Sequence, residues 1–95
     1  MLAPLYPLHP LIVPTPAQLD ALDRFAALAK ARADLVRLHA FWPTPSLYTR
    51  LIAADHVLVR QYEHLLMSGQ GLEAAAVLGL YHAPHVRLAV ERRAA

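Results

Sequence analysis

Eight prolines divide this chain before any other residue has a say: Pro4, Pro7, Pro10, Pro14 and Pro16, then Pro43 and Pro45, then Pro84. A proline lacks the backbone donor and its ring clashes with the preceding turn, so a straight helix does not run through one. The residue before it is also pushed out of the α region. What is left for regular structure is a Pro-rich opening segment followed by proline-free stretches at 17–42, 46–83 and 85–95.

The opening segment has its own period. Pro4, Pro7 and Pro10 recur every three residues, and so do Leu2, Leu5, Leu8 and Leu11. Three is the repeat of polyproline II, so an extended arm over residues 1–14 presents prolines along one edge and leucines along another. A flexible linker is polar, whereas this arm adds Tyr6, Ile12 and Val13 to its leucines. Either it packs on its own domain or it reaches a neighbouring subunit or partner, through Leu5, Tyr6, Leu8, Leu11 and Ile12. The first nineteen residues lack Asp, Glu, Lys and Arg, yet their prolines forbid a membrane span. They also lack the basic start and unbroken apolar run of a secretory signal. The expected location is cytoplasmic, with no membrane partner.

Residues 15–95 read as a helical domain. Thr15-Pro16-Ala17-Gln18 is a helix start: Thr at the N-cap, Pro at the first helical position and Gln at the third, which makes a capping box. Leu19, Leu22, Phe25, Ala26, Ala29, Ala33 and Val36 form one stripe at helical spacing. This first helix runs to about Ala40, where Phe41-Trp42-Pro43 ends it. Thr44-Pro45 repeats the start signal for a second helix, about Pro45–Met67. Its stripe is Leu47, Leu51, Ala54, Leu58, Tyr62 and Leu65, with Arg50, His56, Arg60 and His64 on the far side. Ser68-Gly69-Gln70-Gly71 is a stop and turn. A third helix, about Leu72–Tyr81, is apolar nearly all round and so reads as a buried central helix. Ala83-Pro84 breaks it, and a fourth covers about Pro84–Arg93. No stretch alternates at period two. The expected fold is all-α, a small bundle of four helices, two long and two short, preceded by the arm.

Composition bears on function through what it excludes. No cysteine is present, which removes disulfides, thiol catalysis, zinc-thiolate sites and iron–sulfur clusters together. The two serines, Ser46 and Ser68, sit at helix boundaries outside any GxSxG frame. Six histidines are present, but none makes an HExxH or comparable spacing. His56 and His64 point about 80° apart on their helix. No metal, cofactor or catalytic site is expected. Ala and Leu supply 36 of the 95 positions and 57% of the chain is hydrophobic. A domain of this length hides only about two-thirds of its unfolded surface, so apolar side chains must remain outside, where contiguous patches mark partner surfaces.

Three groups of residues stand out as candidates. Asp55 falls on the apolar side of the second helix among Leu51, Ile52, Leu58, Val59 and Tyr62. A carboxylate there needs a partner: a Tyr hydroxyl, Arg32 or Arg37, a backbone amide, or an Arg from another chain. Phe41 and Trp42 at the helix corner either close the bundle's own core or anchor a partner, Trp being a common interface anchor. Arg50, Arg60 and His64 on the second helix, with Arg87, Arg92 and Arg93 on or after the fourth, offer basic faces. A net charge of +2 is small for a nucleic-acid footprint, and an Arg-rich, Lys-poor chain also follows from a GC-rich genome.

The expectation is therefore a non-catalytic assembly or adaptor protein working through protein–protein contacts. It self-assembles as a homo-oligomer, or binds and inhibits a larger complex in the manner of phage or mobile-element products. Its binding residues are Leu5, Tyr6, Leu8, Leu11, Ile12, Phe41 and Trp42. The alternative is a small nucleic-acid-binding regulator using the basic faces.

Overall fold

A computed structural model describes residues 15–94. Within them the chain forms four helices and no strand: α1 (Pro16–Phe41), α2 (Pro45–Met67), α3 (Gly71–Leu80) and α4 (Pro84–Ala94). The fold is the all-α bundle of two long and two short helices that the proline pattern implies. No helix among the described residues is long and apolar enough to cross a membrane.

Each boundary has a local cause. At α1 both capping-box bonds form: Gln18 N donates to Thr15 Oγ1 at 3.1 Å and Thr15 N donates to Gln18 Oε1 at 2.9 Å. Two of the helix's orphan donors are thereby satisfied. At α2 only half of that arrangement exists, Leu47 N donating to Thr44 Oγ1 at 3.2 Å, because the Leu47 side chain has no acceptor for the Thr44 N–H. The two inner helix ends close alike. Gln70 N donates to Leu65 O and Gly69 N to Leu66 O after α2, while Ala83 N donates to Leu78 O and His82 N to Gly79 O after α3. This is the Schellman pattern, which requires a left-handed residue just past the helix. Gly69 supplies it with φ 82°, and at the second end His82 supplies it with φ 57°.

α1 and α2 form a hairpin joined by the short turn Trp42–Thr44, α3 packs on both, and α4 packs on α2 and α3 rather than on α1. The core contains Phe25 and Ala29 of α1, Leu58, Tyr62 and Leu65 of α2, Ala74 and Leu78 of α3, and Ala83, Val86 and Val90 around α4. The Phe25 and Tyr62 rings stack at its centre, with centroids 6.4 Å apart.

α3 corrects the expectation of a buried central helix. It starts at Gly71 rather than Leu72, and only Ala74 and Leu78 are buried while Leu72 and Leu80 are largely exposed. An apolar composition all round gave no face to distinguish, and the two short helices cover the long hairpin on one part only.

Candidate functional site

The buried residues of the hairpin, Phe25, Ala29, Leu58, Tyr62 and Leu65, all lie towards the start of α1 and the end of α2. No residue from 30 to 57 is buried. About twelve residues of α1 therefore project roughly 18 Å past the core, at 1.5 Å per residue. At the tip Pro43 excludes Trp42 from the α region, and Trp42 caps α1 with φ −129° and ψ 80°. The corner is held by the Thr44 cap of α2 and by a tilted contact between the His39 and Tyr48 rings, with centroids 6.1 Å apart.

Phe41 is 81% and Trp42 67% exposed, and Val36, Leu38, Tyr48 and Ile52 are also exposed on this half of the hairpin. Trp42 thus does not close the bundle's own core. An aromatic side chain carries 150–250 Å², so Phe41, Trp42 and Tyr48 alone expose roughly 400 Å².

At the border between the covered and projecting halves stands a polar cluster. Arg32 Nε donates to Asp55 Oδ1 at 2.5 Å, and His85 Nε2 lies 2.9 Å from the same oxygen. The Arg32 side chain is 12% and that of Asp55 24% exposed, so water reaches the pair only in part. The cluster ties α1, α2 and the first turn of α4 together. Arg32 is one of the partners the sequence offers for Asp55. His85 is not, since nothing local shows that α4 would return to that level of α2.

The basic residues border separate grooves. Arg50 borders a groove on the projecting half with Asp34, Leu35 and Leu38. Arg60 and Arg93 line a different groove, between α2 and α4, with His56, Val59 and Ala89. Arg93 is paired with Glu63. Arg87 is on another side of α4, beside Tyr62 and Leu66, and donates to Glu91 at 2.9 Å. That hydrogen bond, together with the Glu91 charge, raises the Arg87 guanidinium above its ordinary value. His64 faces the start of α1, near Gln18 and Gln70. Arg92 is exposed and, with Arg50 and Arg60, has no ion-pair partner among the described residues. Arg50, Arg60 with Arg93, Arg87 and His64 thus border four different grooves.

No group of three or more His, Asp or Glu residues among the described residues is placed to hold a metal ion. Leu5, Tyr6, Leu8, Leu11 and Ile12 lie outside the described residues. One polar group escaped the sequence reading: Gln70, the N-cap of α3, is 4% exposed, and both its amide oxygen and nitrogen lack partners among the described residues. Its place in a turn signal gave no hint of burial. Compared with known proteins, the chain matches no family model, no curated protein and no solved structure.

Proposed function

We propose that the protein is a non-catalytic assembly or adaptor protein that works by binding protein chains, in the first place further copies of itself. The observation that carries this reading is the projecting half of the hairpin, tipped by exposed Phe41 and Trp42. Most helical stability in proteins comes from packing an apolar face, and here two long helices run past the core with Val36, Leu38, Tyr48 and Ile52 exposed. Large aromatic side chains at an exposed corner suit an interface, because they bury much area with few torsions to freeze.

Light scattering across a dilution series tests it, with the Phe41→Ser, Trp42→Ser double variant alongside. The expected result is an oligomer whose dissociation shifts by at least tenfold to higher concentration in the variant, with helix content unchanged. A strictly monomeric wild type with no retained partner overturns the reading. The nucleic-acid alternative has one observation in its favour, the groove shared by His56, Arg60 and Arg93. Phosphate contacts weaken steeply with salt, so a gel shift at low salt that fades as salt rises favours it, and no shift at low salt removes it.

A further inference from the structure

Two ion pairs cross from α2 to α4. Asp55 meets His85 at 2.9 Å, and Glu63 meets Arg93, each across 30 sequence positions. The two helices therefore run parallel, each residue of α2 beside the one 30 positions later on α4. The crossings are about 12 Å apart along the helix axes, and midway between them Val59 faces Ala89. Both are half-buried. The short Ala89 side chain leaves the seam unfilled, and a groove of about 450 Å³ opens there, lined by His56, Val59, Arg60, Ala89 and Arg93. It lies on the covered half of the hairpin, apart from the corner at Phe41 and Trp42.

We propose that this groove binds a small amphipathic monocarboxylate, its carboxylate on Arg60 and its hydrocarbon body over Val59 and Ala89. Charge is the first argument. Arg93 is already held by Glu63, so Arg60 is the one guanidinium of the lining without an ion-pair partner among the described residues. A guanidinium fork takes a carboxylate through two parallel N–H donors, and His56 adds its ring nitrogens at the same rim. Arg92 is exposed but stands outside the lining.

The same groups select one negative charge over several. Glu63 stands at one end of the groove and Asp55 at the other, and a carboxylate disfavours a further anion beside it. A phosphate dianion or a nucleic-acid strand brings that excess charge, whereas a monocarboxylate matches the single unpaired guanidinium. Shape is the second argument. A nucleic-acid strand or an extended peptide runs on past both crossings, while a slot of about 12 Å between two ion pairs suits a compact ligand. Its volume lies within the roughly 300–1,000 Å³ of small-molecule pockets. The floor of Val59 and Ala89 is apolar, so a hydrocarbon body is drawn out of water there while its head stays at the open, charged rim.

Methyl NMR on the full-length chain, titrated with octanoate, tests the assignment. The expected result is saturable binding that shifts the Val59 and Ala89 methyl signals and leaves those of Leu35 and Leu38, which border a different groove, in place. Arg60 is exposed and unpaired, so Arg60→Gln keeps the fold; it is expected to weaken octanoate binding by about tenfold or more, the loss of a charge-assisted contact. Arg50→Gln removes an unpaired guanidinium from another groove and is expected to change nothing. Acetate, which has the head without the body, is expected to bind at least about tenfold more weakly than octanoate. Octyl phosphate is expected to bind no more tightly than octanoate. The proposal is overturned by the absence of saturable binding, by shifts spread over all exposed methyls, or by equal losses in the two Arg variants. Tighter binding of octyl phosphate overturns the choice of a monocarboxylate and returns the groove to the nucleic-acid alternative.

Discussion

Replacing Asp55 with Ala removes the oxygen that Arg32 and His85 share. The Arg32 guanidinium is then left 12% exposed, with no carboxylate to compensate its desolvation. A hydrogen bond to a charged group contributes about 1.5–3 kcal/mol, and a charged group left buried costs at least as much again. Breaking a fully buried pair costs about 3–5 kcal/mol, while exposed pairs contribute about 0–1 kcal/mol. Asp55 is 24% exposed, so partial screening places Asp55→Ala between these limits, at about 2 kcal/mol. His85 is nearly half exposed, and His85→Ala is expected to cost no more than about 0.5 kcal/mol. For a domain of this size about 2 kcal/mol lowers Tm by roughly 8–16 °C. Urea or thermal denaturation followed by circular dichroism measures both variants. The companion test is Arg32→Leu with Asp55→Leu, which removes both charges together. A large loss in Asp55→Ala and a small one in the double variant is the signature of an orphaned guanidinium. If Asp55→Ala shifts Tm by less than a degree, or if the double variant is the worse of the two, the cluster is not an internal anchor.

The two Schellman ends make opposite predictions. His82→Gly is expected to stabilise by roughly 0.5–1 kcal/mol, because it relieves the left-handed strain at φ 57° at a smaller cost in unfolded-state entropy. Gly69→Ala, at φ 82° with open space around it, is expected to destabilise by about 1 kcal/mol; chemical denaturation midpoints that move the other way refute the shared motif. Thr15→Ala is expected to cost about 1 kcal/mol through loss of the capping box, read as a lower denaturation midpoint. An unchanged midpoint means that the start of α1 contributes nothing to global stability. Leu58→Ala, at the fully buried centre of α2, is expected to cost about 2–5 kcal/mol by leaving a cavity. A smaller loss in differential scanning calorimetry shows that the hairpin core collapses around the gap.

How far the sequence could be read follows the range of the forces involved. Capping, proline sterics and turn chemistry act within about four residues. Thr15-Pro16-Ala17-Gln18, Trp42-Pro43 and Gly69 therefore disclosed the helices and most of their ends without any neighbour. Asp55 was half legible: a carboxylate among Leu and Val must find a donor, and Arg32 was within the candidates, but His85 stands thirty positions away. Its contact depends on where α4 crosses α2. His82 was missed because a left-handed C-terminal residue is usually Gly; only the two hydrogen bonds from His82 and Ala83 reveal it.

Burial is where the sequence ran out. Leu72 and Leu80 have the same local chemistry as Leu78, and Phe41 and Trp42 read equally as core or surface. The amino-acid sequence by itself determined an all-α chain with two long and two short helices, since those limits are written in prolines, caps and apolar period. Only the tertiary structure decided that α3 and α4 cover one half of the α1–α2 hairpin, leaving Phe41 and Trp42 exposed at its tip and Gln70 enclosed. The physical reason is that apolar attraction is non-directional and proportional to area. In a chain so rich in Ala and Leu, many faces are equivalent candidates for burial, and the choice among them is made by which helices meet.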